Sequence, residues 1–160
     1  MMLLSTVDRG AVTHLLAGYG LTLQMVDANA PIPGSYWGES EAGLEANVLF
    51  ARPDTPLHSV LHEGAHYICM TPQRRAALLR DAGGDDAEEG AVCYLQVLMA
   101  DALGATVRQQ LYDDMNSWGY SFRLGCARTW FEQDAADERA WLLERALIDD
   151  RQRLTGALRG

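Results

Sequence analysis

The order of hydrophobic periods along the chain predicts an α+β fold, with a small sheet near the N-terminus and helices after it. Residues 21–26 and 44–51 alternate apolar and polar side chains with the period of a β-strand. Beyond Pro53 the apolar residues instead recur at the spacing of a helix. Because the strands come first and the helices follow, the two kinds of element are segregated, which is typical of α+β domains.

The composition fits one folded domain over residues 1–160. Hydrophobic residues make up 48% of the chain, and the net charge of −9 disfavours nucleic acid as a partner, because phosphate binding needs a basic surface. Three cysteines do not suggest a disulfide framework. No apolar stretch approaches the roughly 20 residues of a membrane span, and the N-terminus lacks a signal-peptide pattern. We therefore expect a soluble, cytoplasmic protein without a membrane partner.

Capping and breaking signals divide the chain into further elements. We expect helices over residues 7–16, 56–70, 73–82 and 85–103, and two or three amphipathic helices from residue 106 onward. Residues 30–43 are rich in turn formers, with room for a short strand at Tyr36-Trp37. Thr55 is placed to cap the helix of residues 56–70, and Asp85 or Asp86 to cap the helix of residues 85–103.

The helix of residues 56–70 contains the motif His62-Glu63-Gly64-Ala65-His66. Histidines four residues apart lie on one face of a helix, so both imidazoles can bind the same zinc ion. The Glu63 carboxylate lies to the side of that ion, where it can take a proton from a water that the metal activates. The motif predicts His62 and His66 as zinc ligands and Glu63 as the catalytic base. The alternative is an ordinary helix with two solvated or core-edge histidines.

A zinc site needs a third protein ligand, and here the chain resembles the gluzincin branch of the zincin metallopeptidases. In that family the third ligand is a glutamate on the next long helix, often in the pattern Glu-x-x-Ala with an aromatic residue soon after. Glu88, Ala91 and Tyr94 match this pattern, with Glu88 as the ligand. The resemblance covers residues 44–103, and the C-terminal third of the chain matches no family in this way.

The resemblance implies a zincin-like fold, in which a small antiparallel or mixed sheet packs on the HExxH helix and the glutamate helix. It also implies one zinc ion per chain and hydrolysis of a peptide or protein substrate. The strand of residues 44–51 would resemble the edge strand that pairs with an extended substrate. The competing hypothesis is a catalytically inactive zincin-fold protein that binds a metal or regulates a partner.

Helical geometry favours Glu88 over Glu89 as the third ligand. Glu88 shares a helical face with Ala91 and Leu95, so it should point toward the core, where a carboxylate needs a partner such as a metal ion. Glu89 lies about 100° further round the helix. Glu89 as the ligand, or both glutamates as complements to the helix dipole, remain alternatives.

Several further residues are candidates for supporting roles at such a site. Val92 stands where the family often has a polar residue that supports a histidine ligand, so the residue with that role is unassigned. His58 and Cys69 lie on the same helical stripe as the motif. His58 could join the metal site or orient a ligand, and Cys69 could replace the glutamate as the third ligand. A capping or surface histidine in the first turn and a buried structural cysteine are the more common interpretations. Tyr120 and Tyr94 are candidate donors for a developing oxyanion.

Overall fold

The computed structural model describes residues 1–35, 38, 40–78, 83–120, 122 and 125–160. In these residues the elements are α1 (Arg9–Ala17), β1 (Thr22–Met25), β2 (Gly43–Glu45), β3 (Val48–Ala51), α2 (Leu57–Cys69), α3 (Pro72–Ala76), α4 (Asp86–Leu103), α5 (Ala105–Trp118), α6 (Ala127–Gln133) and α7 (Ala136–Glu144). A single 3-10 turn, Leu4–Thr6, precedes α1. Helices and a small mixed sheet are thus combined, and the predicted α+β class is confirmed.

The sheet has the strand order β1-β3-β2. β3 lies in the middle, parallel to β1 and antiparallel to β2. β2 is an edge strand, but its outer side already contacts the chain, because the Leu44 N–H donates to the Gly34 carbonyl at 3.4 Å. The expectation that residues 44–51 form an edge strand open to a substrate is therefore wrong: part of that segment is the central strand, and the rest is partly covered.

Residues 44–51 also form a hairpin rather than one continuous strand. Ala46 adopts the left-handed region with φ 51°, and the chain reverses there between β2 and β3. The turn resets the alternation of side chains, so Leu49 and Ala51 are fully buried whereas Val48 and Phe50 are only partly buried. The alternation in the sequence, continued without a turn, had instead predicted that Val48 and Phe50 face the core.

α2 is the most deeply buried helix of the protein and packs mainly against α4. It begins after Pro56 without a side-chain cap, so the capping role expected of Thr55 is wrong. The Thr55 hydroxyl instead accepts a hydrogen bond from the Arg52 N–H at 2.9 Å. The helix ends at Cys69, close to the predicted boundary.

Gly64 lies where α2 meets two other helices. A Cβ atom at this position would lie 3.0 Å from Leu16 Cδ2 on α1 and 3.3 Å from Met99 Cε on α4. Because the glycine has no side chain, α1 and α4 approach the back of α2 closely while the histidines project from its other side.

The remaining helices agree with the predictions to within a few residues. Asp85 caps α4, and its carboxylate accepts the Glu88 N–H at 2.9 Å. Three helices follow residue 104, as expected. α3 ends at Ala76, whereas residues 79–82 of the predicted helix, and the strand predicted at Tyr36-Trp37, lie outside the described residues. No helix in the described part of the chain combines the length and apolar character needed to cross a membrane.

Candidate metal centre

Three side chains from two helices converge on one point. His62 Nε2 and His66 Nε2, one turn apart on α2, are 3.1 Å from each other. The Glu89 carboxylate reaches them from the first turn of α4, with Oε1 3.0 Å from His62 Nε2 and Oε2 3.1 Å from His66 Nε2. The spacing of the histidines along the helix thus produces the shared face that the motif predicts.

The dimensions of this group suit a small divalent cation. Zinc ligands lie roughly 2.0–2.2 Å from the metal, so neighbouring ligand atoms of a tetrahedral site are about 3.3–3.6 Å apart. The three donor atoms of His62, His66 and Glu89 all lie within 4.8 Å of one another, and the contacts of 3.0–3.1 Å need only small side-chain movements to reach that spacing. Two imidazole nitrogens and a carboxylate are also the ligand types that zinc prefers.

A buried amide on α4 orients the first histidine. Gln96 Nε2 donates to the His58 carbonyl at 2.8 Å, and since a carbonyl can only accept, this contact fixes the orientation of the amide. Gln96 Oε1 then faces His62 Nδ1 at 3.1 Å, so in the neutral ring Nδ1 carries the proton and donates it. His62 Nε2 faces Glu89 and donates a proton to its carboxylate at 3.0 Å. A metal ion bound here would take the place of that proton, while Nδ1 keeps its own proton on Gln96.

Gln96 is therefore the candidate for the polar residue that supports a histidine ligand, a role that was unassigned because Val92 is apolar. It lies one helical turn after Val92 and is fully buried. The signal for it was present in the sequence, because Gln96 is the one amide in the otherwise apolar run of residues 91–99 and lies seven residues, two turns, after Glu89.

Glu88, the glutamate favoured as a ligand, points elsewhere. Its carboxylate accepts two hydrogen bonds from the Arg74 guanidinium, at 2.8 and 2.7 Å, and a third from Arg159 at 2.9 Å. The side chain is buried, with 4% of its surface exposed. The inference that a core-facing carboxylate needs a partner was sound, but the partners are two arginines. Glu89 replaces Glu88 as the candidate ligand.

The electrostatics of the group favour positive charge at its centre. Burial alone would lower the pKa of His62, but the Glu89 carboxylate outweighs burial and raises it. Burial would raise the pKa of Glu89, yet hydrogen bonds from His62 and His66 hold it well below its usual range. Both shifts have one cause, which is a carboxylate fixed between two imidazoles.

Glu63 lies beside this group but outside it. Its side chain is 8% exposed, and none of the described residues gives it a hydrogen bond or an ion pair. Burial raises the pKa of Glu63, and the nearby His66 and His62 oppose that rise. A buried carboxylate without a fixed partner, next to two histidines, is suited to accept and release a proton.

A cavity of about 240 Å³ adjoins the convergence point. Its described lining includes His62, Glu63 and Glu89 together with Tyr120 and Trp118. Because His62 and Glu63 of the motif and Glu89 of α4 face one cavity, a ligand bound there would contact all three side chains.

Tyr120 is held at the cavity by two neighbours. Gln96 Nε2 donates to the Tyr120 hydroxyl at 3.3 Å, and His58 Nδ1 lies 3.3 Å from the same oxygen. Burial lowers the pKa of His58 to about 4, so this ring is neutral near pH 7. Burial raises the pKa of Tyr120, and its hydroxyl therefore keeps the proton that an oxyanion donor needs.

The other residues that the sequence suggested as ligands or oxyanion donors lie outside the three-donor group. The Tyr94 hydroxyl donates to Gln152 at 3.0 Å, and its ring stacks on Phe131, so Tyr94 is a core residue and not an oxyanion donor here. Cys69 is fully buried and outside the three-donor group. His58 is buried beside Tyr120 rather than exposed in the first turn, and it also lies outside that group.

Comparison of the chain with known proteins adds no relative to this description. No protein-family model, no curated protein and no solved structure matches it.

Proposed function

We propose that the protein is a zinc-dependent peptidase with a zincin-like fold, in which His62, His66 and Glu89 bind one zinc ion and Glu63 is the general base. The observation that carries the proposal is the convergence of two imidazole nitrogens and one carboxylate beside a cavity that His62, Glu89 and Glu63 line. A purely structural metal site would have no use for a buried, unpaired carboxylate beside its ligands.

Each residue has a distinct task in this mechanism. Zinc bound at the three donors would polarise the scissile carbonyl and lower the pKa of the attacking water. Glu63 takes the proton of that water and delivers it to the amine that leaves when the peptide bond breaks. Tyr120, whose hydroxyl is held by Gln96, donates a hydrogen bond to the carbonyl oxygen as negative charge develops on it.

The supporting residues keep this arrangement in place. Gln96 holds His62 in the tautomer whose Nε2 lone pair faces the metal position, and it contacts Tyr120 through the other end of the same amide. One buried side chain thus couples the orientation of a metal ligand to that of the oxyanion donor, which supports a catalytic interpretation over a purely structural one.

The proposal is tested by comparing the zinc-loaded wild type with Glu63→Gln on a degenerate peptide library, with cleavage read by mass spectrometry. Glutamine preserves shape but cannot accept the proton, so activity should fall roughly 10²–10⁴-fold. Zinc content, measured by elemental analysis, should not change. Glu144→Gln, at an exposed glutamate with 74% side-chain exposure, is the matched control and should keep full activity.

Two results would count against the proposal. Sustained turnover by Glu63→Gln with its zinc content verified would exclude the mechanism. A zinc-loaded wild type that cleaves no member of the library would favour the alternative, a catalytically inactive zincin-fold protein that binds a metal or regulates a partner.

A further inference from the structure

A second and larger cavity, of about 590 Å³, adjoins the first. Glu89, Cys93 and Phe122 line both cavities, so the second begins where the candidate metal centre ends. A peptide held at the metal centre would extend a neighbouring side chain into this space. The second cavity, here called the α4–α7 groove, is completed by Asp86, Gly90, Trp130 and Glu138.

Glu138 on α7 is the unusual member of the groove. Its Oε2 atom is buried and has no hydrogen-bond partner among the described residues. A carboxylate oxygen withdrawn from water and left unpaired is unfavourable, so the position indicates a partner that the described part of the chain does not supply.

Gly90 makes room for this carboxylate. A Cβ atom at Gly90 would lie 3.2 Å from both Cγ and Oε1 of Glu138. Glycine inside a helix is unfavourable compared with alanine, and Gly90 lies well within α4. The chain therefore accepts a weaker helix at a position where a methyl group would lie close to Glu138.

The walls of the groove complement a cation with an apolar stem. Trp130 and Phe122 contribute aromatic surface, and Asp86 and Glu138 contribute carboxylates. The described residues of the lining include neither arginine nor lysine. Aromatic faces attract guanidinium and ammonium groups, and carboxylates pair with them, so a basic side chain satisfies both parts of the lining.

We propose that the α4–α7 groove is a specificity subsite that binds an arginine or lysine side chain of the substrate beside the scissile bond, with Glu138 as the residue that selects the charge. This inference rests on the proposed peptidase function for the role of the subsite, although the binding of a basic side chain can be measured without catalysis.

The test uses two small probes and the full-length protein. N-acetyl-arginine methylamide carries the cation, and N-acetyl-citrulline methylamide has nearly the same shape without the charge. Binding is followed by NMR through the Trp130 indole signal. The wild type should bind the arginine probe about tenfold more tightly than the citrulline probe, as an ion pair combined with a cation–π contact predicts.

Glu138→Gln keeps the size of the side chain and should remove this preference, so that both probes bind equally. Glu132→Gln, at an exposed glutamate of α6, removes the same net charge and should leave the preference intact. Gly90→Ala should weaken the arginine probe as well, because the new methyl group displaces the carboxylate. Circular dichroism verifies that each variant is folded.

The outcomes separate the subsite from the catalytic proposal. Equal affinity of the wild type for both probes, or a preference that survives Glu138→Gln, would overturn the subsite. If the preference depends on Glu138 but no peptide is cleaved, the subsite stands and the peptidase function fails. If peptides are cleaved with no enrichment of arginine or lysine beside the cut, the subsite fails and the peptidase function stands.

Discussion

Two adjacent glutamates in the first turn of α4 have opposite surroundings. Glu88 has 4% of its side chain exposed and pairs with the guanidinium groups of Arg74 and Arg159. Glu89 has 49% of its side chain exposed and contacts His62 and His66. The more buried carboxylate has a structural partner, and the more exposed one completes the candidate metal centre.

The difference teaches that burial does not identify a ligand. A buried carboxylate needs compensation, but an arginine provides it as readily as a metal ion does. Arg159 also donates from its backbone N–H to the Ile68 carbonyl and from its side chain to the Cys69 carbonyl, so the Glu88 cluster joins the end of α2 to the start of α4. Glu88 thus stabilises the contact between α2 and α4. Its neighbour Glu89 contacts His62 and His66 across the same pair of helices.

The largest effect expected from this comparison is the loss of zinc binding in Glu89→Ala. Removing one of three protein ligands should weaken zinc affinity roughly a hundredfold or more. The free energy of unfolding of the metal-free protein should change by only about 1 kcal/mol or less, because the side chain is half exposed. Competition with a fluorescent zinc chelator measures the affinity, and urea titration measures the stability.

Glu88→Ala is the matched control and should show the reverse pattern. The substitution leaves two partly buried guanidinium groups without their shared carboxylate, so the free energy of unfolding should fall by about 2–3 kcal/mol. Zinc affinity of the folded protein should change far less than in Glu89→Ala. If Glu88→Ala loses zinc and Glu89→Ala retains it, the original assignment of Glu88 as the ligand is restored.

The smallest effect is expected for Gln96→Met, which keeps a similar volume but removes the acceptor for His62 Nδ1. Loss of a partner that orients a histidine ligand typically weakens metal binding about 10- to 100-fold, and we expect the lower end because His66 and Glu89 are unchanged. Nitrogen-15 NMR of the His62 ring should also show a mixture of tautomers. An unchanged spectrum and affinity would show that Gln96 does not set the tautomer.

The sequence predicted the main helices of the site because their signals are local. His62 and His66 are related by helical periodicity, and Asp85 caps the helix that carries the candidate carboxylate, so no long-range contact was needed to place them. The same local reasoning did not identify Gln96, since its role depends on contacts 34 and 38 residues away.

The errors came from tertiary contacts that periodicity does not contain. The arginines that compensate Glu88 come from α3 and from the C-terminal segment, at sequence separations of 14 and 71 residues. The hairpin within residues 44–51 turns at Ala46 and Asn47. Ala46 is a residue type that rarely takes a positive φ, and Asn47 without a neighbouring glycine is a weak turn signal. In both places the local sequence pattern predicted a simpler structure than the one that the chain adopts.

Gly64 is constrained by helix packing rather than by the chemistry of the motif. It occupies one of the two positions at which an HExxH pattern tolerates any residue, yet here a methyl group would press on both α1 and α4. Any variant that moves α4 outward would carry Glu89 away from the histidines. The residue at this position of the motif is therefore constrained by how closely α1 and α4 pack on α2. We expect an alanine here to shift the candidate metal ligands relative to one another without contacting them.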